Sequence, residues 1–329
     1  MSEQEYSRRV VLAASGAVLT GLAAGSVRSV LASDTKVAPA AASAPVDARA
    51  SGTLTIGKDL TVRRLGFGAM RVTGDGIWGE SKDPAEAREV LKRAIALGVD
   101  FIDTADAYGP GTSEEIIAEA LYPYPEGLVI ATKGGIIRPS VEEWVPNGRP
   151  EHLRAACEAS LKRLRLERID LYQLHTIDPD VPLEESIGEI ARLQKEGKIR
   201  YVGVSNFDAD ELARARRIVD VASVQNRYNV ADRTSDAVLK VCEHDRIAFI
   251  PWRPLAQGAS DAAADGPVAR LAKVAASRGL SMPQAAIAWT LARSPVMLPI
   301  PGTSRVEHLE ENVAAAAVKL TAQEMREVG

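Results

Sequence analysis

The sequence is poor in the residue types that bind metals and form disulfides. Its 329 residues include only two cysteines and four histidines, and no HxH, HExxH or CxxC spacing occurs among them. A metal site is therefore not expected. Cys157 and Cys242 fall in separate predicted helices about three strand–helix units apart, so we expect two buried thiols rather than a disulfide.

Concentrated positive charge is also missing. The chain has no block of lysine or arginine, and its net charge is −4. Proteins that bind nucleic acids carry clustered positive charge, so nucleic acid is excluded as a partner. Aromatic residues make up only 5% of the chain, whereas Val, Ile, Leu and Ala are abundant enough for a large core. The length fits either two ordinary domains or one α/β barrel.

The first fifty residues lack a strongly hydrophobic run, but they carry a targeting pattern. Arg8 and Arg9 precede a weakly apolar Ala/Gly/Val stretch, which resembles a twin-arginine export signal. We interpret residues 1–32 as the signal and 33–51 as a disordered Ala/Pro linker, with cleavage after Ala32 or Ala50. The twin-arginine export machinery would then be a partner and the location periplasmic. An uncleaved anchor and a cytoplasmic location are the alternatives.

From residue 52 to residue 329, short β-rich runs alternate with amphipathic helical runs. Eight runs are predicted to be strands, at 65–70, 100–105, 128–133, 169–175, 199–206, 222–228, 247–252 and 296–302. Caps and glycine stops mark the helices, as Asp83 and Gly98 do for the first one. The pattern predicts one α/β domain over 52–329, a parallel (β/α)8 TIM barrel. A hairpin around Gly57 is expected to plug its bottom.

Few polar residues end these strands, and all strands of a parallel barrel end at the same rim. Those residues are Asp103, Lys133, His175, Ser205 with Asn206, and Gln225. Asp103, Lys133 and His175 belong to three consecutive strands, so they should share one arc of the rim. Tyr108 follows the second strand and can lean over them.

Together these four groups can act as a general acid. One ammonium at about 4 Å stabilises a phenolate by roughly 4 kcal/mol at an effective dielectric constant near 20, enough to lower a tyrosine pKa from about 10 to about 7. Lys133 is expected to have this effect on Tyr108, while Asp103 keeps the lysine charged. His175 is expected to donate a hydrogen bond to an oxygen that becomes negative. The four residues include no nucleophile, so the electrons must come from a cofactor.

Six motifs resemble those of the aldo-keto reductase family, in order and from about Leu54 to the last residue: FIDTADAYG, VIATKGG, IDLYQLH, GVSNF, SVQNRYN and IPGTSRVEHLEEN. By this resemblance Asp103, Tyr108, Lys133 and His175 are a catalytic tetrad in which Tyr108 donates the proton. The implied reaction is the reversible NADPH-dependent reduction of a small aldehyde or ketone to an alcohol. The layout is closer to short bacterial members, including pyridoxal reductases, than to the steroid-reducing branch. The substrate and the oligomeric state are not predicted, and a monomer fits.

The resemblance also implies a cofactor site, although no GxGxxG motif of a Rossmann domain follows a strand. Ser205, Asn206 and Gln225 would hold the nicotinamide carboxamide, and Trp252 would stack on its ring. Pro254 and Leu255 would line the adjoining channel. The adenosine end would be held by the last loop and helix, at Gly302, Thr303, Ser304, Arg305, His308, Glu311 and Asn312.

Two features of the sequence depart from better-known members of the family. Gly302 and His308 stand where those members have Lys and Arg, but Arg305 with its hydroxyl neighbours can still bind a 2′-phosphate, so NADPH is favoured over NADH. The long C-terminal loop of some members is missing, which leaves the pocket bounded by two rim loops. Trp78 and Trp144 in those loops are the candidate substrate wall.

Two other functions are compatible with parts of this pattern. A Schiff-base aldolase also places a lysine on a barrel strand, and Lys133 would be its nucleophile. A redox-sensing module of the same family, such as the potassium-channel β subunits, would bind NADPH but turn over slowly. Tyr108 and the adenosine-end motif argue against the aldolase.

Overall fold

The computed structural model describes residues 47–255 and 265–329. The predicted signal at 1–32 and the first part of the predicted linker lie outside the described residues. Within the two described ranges, no helix is both long enough and apolar enough to cross a membrane.

The described residues contain short strands and ten α-helices. The strands are β1 (Thr53–Ile56), β2 (Leu60–Arg63), β3 (Phe67–Gly68), β4 (Phe101–Asp103), β5 (Val129–Gly134), β6 (Ile136–Ile137), β7 (Val145–Pro146), β8 (Ile169–Leu174), β9 (Ile199–Ser205), β10 (Val221–Gln225) and β11 (Ala248–Phe249). The helices are α1 (Pro84–Ala96), α2 (Thr112–Leu121), α3 (Pro150–Arg163), α4 (Leu183–Lys195), α5 (Ala209–Ala215), α6 (Asp236–Asp245), α7 (Pro267–Ser277), α8 (Met282–Arg293), α9 (Val306–Ala314) and α10 (Ala322–Val328).

The centre of the fold is one curled parallel sheet. Its order is β3-β4-β5-β8-β9-β10-β11, and every neighbouring pair is parallel. Helices connect successive strands, so the carboxyl ends of all strands reach the same rim. Seven of the eight predicted strands are found within or close to their predicted ranges. The α/β barrel is confirmed.

The eighth predicted strand, at 296–302, closes the barrel without forming a regular strand. On one side Phe249 N donates to Val296 O and Leu298 N donates to Phe249 O, both at 2.9 Å. On the other side Gly66 N donates to Pro299 O at 3.0 Å. Proline has no N–H and cannot complete a strand ladder, so this segment bridges β11 and β3 through isolated hydrogen bonds.

The predicted hairpin closes the end of the barrel where the strands begin. β1 and β2 pair as an antiparallel hairpin around Gly57. Ile56 and Val62 are fully buried and pack in one cluster with Phe101 and Val129, which stand at the starts of β4 and β5. The hydroxyl of Tyr201 accepts a hydrogen bond from Lys58 N at 3.1 Å and fixes the turn to β9.

The helix boundaries follow the caps read from the sequence. Asp83 Oδ1 accepts a hydrogen bond from Glu86 N at 2.9 Å, and Gly98 follows α1 with φ of +80°. Asp208 and Glu211 form the reciprocal capping box that starts α5. The two predicted helices of the last crossover are α7 and α8.

The predicted disorder of the linker is wrong for residues 47–51. Asp47 caps a short 3-10 helix, Ala48–Ser51, by accepting a hydrogen bond from Arg49 N at 2.8 Å. Ala48 is fully buried, and its N–H donates to Leu97 O at 2.8 Å at the end of α1. The prediction of disorder was based on the Ala/Pro composition of the segment. A single small apolar residue, Ala48, can nevertheless pack against α1 when the backbone around it is capped, without a long hydrophobic run.

The two cysteines are free and buried, as predicted. Cys157 lies in α3 and Cys242 in α6. Burial raises the pKa of each thiol to about 12, so neither is reactive at neutral pH.

Candidate active site

The side chains predicted to form a general acid meet at the carboxyl ends of the strands. Lys133 Nζ donates to Asp103 Oδ2 at 2.6 Å and to Thr104 O at 2.8 Å. The same ammonium lies 3.5 Å from the Tyr108 hydroxyl and is completely buried. β4 and β5 are neighbours, so the ends of these strands hold Asp103 and Lys133 in contact.

The turn that carries Tyr108 is fixed by its own backbone. Tyr108 N donates to Ala105 O at 3.2 Å, and Gly111 N donates to Asp106 O at 2.7 Å. Gly109 has φ of +96°, and a Cβ atom there would lie 2.4 Å from Cβ of Thr112, so this position requires glycine. The turn brings the phenol back over the end of β5.

Asp103 is held by two glutamines as well as by the lysine. Its Oδ1 accepts hydrogen bonds from Gln225 Nε2 at 2.8 Å and from Gln173 Nε2 at 3.1 Å. Gln173 was missed by the sequence reading, although it lies two residues before His175 on β8. That spacing places both side chains on the same face of the strand, which is the signal that could have found it.

Burial and pairing together set the protonation of the lysine and the tyrosine. Burial lowers the pKa of Lys133, but its attraction to Asp103 and Tyr108 outweighs this, so the pKa lies above its ordinary value. Burial raises the pKa of Tyr108; Lys133 lowers it and Asp103 raises it, and the net shift is upward. The predicted fall of the Tyr108 pKa toward 7 is therefore wrong, because the prediction omitted burial and the charge of Asp103.

The resulting protonation states suit proton donation. Tyr108 is neutral at neutral pH and carries the proton that a general acid must supply. Lys133 is charged and lies close enough to stabilise the phenolate once that proton has left.

His175 completes the arc as a neutral imidazole. Burial lowers its pKa well below the ordinary value, and the nearby charge of Lys133 lowers it further. Its ring stands edge-on to Tyr108, with centroids 5.8 Å apart. Nδ1 of His175 is buried and has no hydrogen-bond partner among the described residues. A neutral ring beside the phenol can donate a hydrogen bond to the same substrate oxygen.

The next two strands bring further polar groups to the rim. Ser205 Oγ donates to Gln225 O at 2.8 Å, which ties β9 to β10. Asn206 follows with φ of +62°, and its Nδ2 donates to His175 O at 3.1 Å. Oδ1 of Asn206 accepts a hydrogen bond from Trp252 Nε1 at 3.0 Å. The structure thus groups Ser205, Asn206, Gln225 and Trp252 beside the tetrad.

The last loop, at 302–305, leads into α9 and has a structural role at its first residue. A Cβ atom on Gly302 would lie 2.3 Å from Gly68 O, so glycine is required by the close approach of this loop to β3. Thr303 Oγ1 accepts a hydrogen bond from Arg305 N at 3.1 Å. Ser304 and Arg305 are exposed at the start of α9.

The other predicted cofactor residues differ in exposure. His308 is exposed and Glu311 is half-buried, while Asn312 is buried. Pro254 is buried, and Leu255 is half-buried against an apolar cluster that includes Leu65.

The two predicted wall residues lie in loops that meet at one arginine. The ring of Trp144 is 6.3 Å from that of Tyr108, centroid to centroid, and packs edge-on. Trp78 pairs through its backbone with Gly109, next to the phenol. The guanidinium of Arg138 lies 3.6 Å from the centroid of Trp144 and 5.5 Å from that of Trp78. β6 and β7 form an antiparallel pair in the loop carrying Trp144, which the sequence did not predict.

Comparison with known proteins agrees with this site. The model of the aldo/keto reductase family matches residues 64–329. The chain is 51% identical to an uncharacterised oxidoreductase of Schizosaccharomyces pombe over 283 residues, which cover 86% of this chain and 90% of the relative. It is 40% identical to pyridoxine 4-dehydrogenase of Escherichia coli over 277 residues, 82% of this chain and 95% of the relative.

A solved structure shows the same fold with a ligand in place. An aldo-keto reductase from Klebsiella pneumoniae, determined in complex with NADPH, superimposes with a TM-score of 0.71 at 28% sequence identity. The match covers 84% of this chain and 93% of the other. With the matches above and the tetrad geometry, it leads to one conclusion: the chain belongs to the aldo/keto reductase family of oxidoreductases.

Proposed function

We propose that this protein reduces an aldehyde or ketone to an alcohol with NADPH and that Tyr108 supplies the proton. The observation that carries the proposal is the placement of one buried ammonium, Lys133 Nζ, 2.6 Å from Asp103 and 3.5 Å from the Tyr108 hydroxyl. This arrangement delivers a proton and stabilises the phenolate that is left. It contains no group that could reduce a carbonyl carbon, which agrees with a hydride-donating cofactor.

The residues beside the tetrad fit a nicotinamide cofactor. Bound NADPH would supply the hydride. Oδ1 of Asn206 and Oε1 of Gln225 are acceptors for a carboxamide NH2 group, and the indole of Trp252 offers a flat apolar surface beside them. The bond from Trp252 Nε1 holds the side chain of Asn206 in place, so the acceptor is oriented before the cofactor binds.

The last loop fits the adenosine end with a preference for NADPH. Ser304 and Arg305 are exposed at the amino end of α9, where backbone N–H groups point outward. The guanidinium of Arg305 forms a 3.6 Å ion pair with the exposed Glu307, and a 2′-phosphate can replace that partner. His308, Glu311 and Asn312 lie on the same helix and complete the proposed set.

The aldolase alternative conflicts with the state of the lysine. A Schiff base requires a neutral amine with room for a carbonyl carbon. Lys133 is charged, completely buried and bonded to Asp103 and to Thr104 O. The slow redox-sensing alternative predicts tight NADPH binding with almost no turnover, which the assay below distinguishes.

The test is NADPH consumption with a panel of carbonyl compounds. Pyridoxal belongs in the panel because a relative is named pyridoxine 4-dehydrogenase. We expect Tyr108→Phe to lower kcat by roughly 10²- to 10⁴-fold, because positioned proton transfer contributes about that much. NADPH affinity, followed by quenching of tryptophan fluorescence, should stay the same. Turnover in Tyr108→Phe equal to wild type would remove Tyr108 as the acid.

We also propose export through the twin-arginine route with cleavage after Ala32. Support comes from the arginine pair Arg8 and Arg9 and from the docking of residues 47–51, the last part of the predicted linker, against the end of α1. Cleavage after Ala50 would remove Ala48, which is fully buried against the end of α1. Fractionation with amino-terminal sequencing tests this; a cytosolic protein with Met1 intact would contradict it.

A further inference from the structure

Arg138 has an unusual environment for an arginine near an active site. Its side chain is buried, and none of the carboxylates in the described residues forms an ion pair with it. The guanidinium instead donates to five backbone carbonyl oxygens, those of Gly76, Ile77, Ala107, Val141 and Glu143, at 2.6 to 3.4 Å. All five donors of the fork are therefore directed at the main chain.

Those carbonyl groups belong to three different loops at the rim. Gly76 and Ile77 lie between β3 and α1, and Ala107 lies in the turn that carries Tyr108. Val141 and Glu143 lie in the hairpin loop between β6 and β7. One side chain thus ties together three rim loops beside Tyr108.

The same guanidinium also covers one face of the indole of Trp144, at 3.6 Å from the ring centroid. Trp144 packs edge-on against Tyr108 and is still 37% exposed. Since Arg138 occupies one face, that exposed area belongs to the other face and the edges. Val141 and Val145, in the same hairpin loop as Trp144, are 37% and 40% exposed.

We propose that Arg138 is a positioning residue that sets substrate specificity by holding Trp144 against Tyr108. It touches neither the reacting atoms nor the cofactor residues. The apolar wall that it supports favours carbonyl compounds with a ring over small aliphatic ones. The proposal rests on the carbonyl reduction proposed above, because its effect is measured on that reaction.

The test is a double-mutant cycle of Arg138→Met and Trp144→Ala in the full-length chain. Each variant is assayed with NADPH and two probes, benzaldehyde and propanal. We expect each single change to lower kcat/KM for benzaldehyde by about 10- to 100-fold, mainly through KM, because small misplacements near a reacting group cost about that much. The loss for propanal should be several-fold smaller. NADPH affinity, measured by fluorescence titration, should change less than about twofold.

The double variant distinguishes positioning from general support. If Arg138 acts through Trp144, kcat/KM of the double variant for benzaldehyde should be no lower than that of the less active single variant. Losses that multiply, or an equal loss for both probes, would overturn the proposal. Arg138→Lys replaces Arg138→Met in the cycle if the methionine variant does not fold; an ammonium cannot reach five carbonyl groups, so the same loss is expected.

Arg64 provides a matched control. It is a partly buried arginine whose guanidinium also donates to backbone carbonyls, those of Leu291, Ser294 and Met297, but at the opposite end of the barrel. Arg64→Met should lower thermal stability and leave KM for both probes unchanged. A wild-type protein that turns over neither probe nor the rest of the panel would contradict the proposed reaction itself, separately from the role of Arg138.

Discussion

Replacing Asp103 with asparagine changes the charge of the site while keeping its shape. The carboxylate accepts from Lys133 at 2.6 Å through Oδ2 and from Gln225 and Gln173 through Oδ1. All three partners are donors. An asparagine amide must turn its NH2 group toward either the ammonium or the two glutamines, so at least one buried donor loses its acceptor.

The expected magnitude follows from the distances. Removing one partner of a buried ion pair costs about 3–5 kcal/mol, so the free energy of unfolding should fall by about that much. Burial lowers the pKa of Lys133, and without Asp103 nothing comparable opposes it. A neutral lysine no longer stabilises the Tyr108 phenolate. At 3.5 Å and an effective dielectric constant near 20 that charge is worth up to about 5 kcal/mol, so kcat should fall between roughly 10² and 10³-fold near pH 8.

The pH dependence of kcat/KM is the decisive measurement. In wild type Lys133 stays charged across the assay range, because its pKa is raised. In Asp103→Asn activity should recover toward low pH, where the lysine regains its proton, and fall about tenfold per pH unit above the lowered pKa. A loss of the same size at every pH would refute the reasoning.

Asp100→Asn is the matched control for this experiment. Asp100 precedes the same strand at its other end, where it accepts a hydrogen bond from Arg63 N at 2.9 Å. Its replacement should change stability and leave the pH profile unaltered.

Two further predictions concern the stability of the fold at residues outside the tetrad. Burial raises the pKa of Asp106 to about 8, so from about pH 4 to about pH 8 the folded protein holds a proton that the unfolded chain has released. Wild-type stability should therefore fall relative to Asp106→Asn by about 1.4 kcal/mol per pH unit and level off above pH 8; a constant difference in denaturant titrations would contradict this. Gly302→Ala should lower stability by about 1–3 kcal/mol, since its Cβ would meet Gly68 O at 2.3 Å. Gly188→Ala, in α4 with no atom closer than 4.0 Å, should instead raise it by about 0.5–1 kcal/mol. A fall in Tm for both Gly302→Ala and Gly188→Ala would show that the contact with Gly68 O is not the cause of the loss of stability.

Local patterns predicted most of the fold because they reflect local physics. Caps such as Asp83 and stops such as Gly98 act within one helical turn, and the structure has them where the sequence indicated. Seven strand positions followed from β-rich apolar runs between those helices. The eighth run was found at its place but lacks regular pairing, because Pro299 and Pro301 have no N–H group to donate to a strand ladder.

Site residues could be predicted where a short stretch of sequence was enough to identify them. Asp103, Lys133 and His175 each end a strand, and a parallel barrel brings strand ends together. Gln173 and Arg138 were not predicted. For Gln173 the one local signal was its two-residue spacing from His175, and its partner Asp103 lies 70 residues away along the chain. Arg138 has no local pattern that distinguishes a buried arginine from a solvated one, because Gly76, which it contacts, lies 62 residues away.

The sequence by itself determined the repeating α/β architecture and the identity of the four groups at the rim. Only the tertiary structure decided their protonation and their surroundings. Whether burial or the charge of Lys133 controls the pKa of Tyr108 depends on how completely other segments exclude water from the phenol. Desolvation is a property of the packed molecule, and no short stretch of sequence contains it.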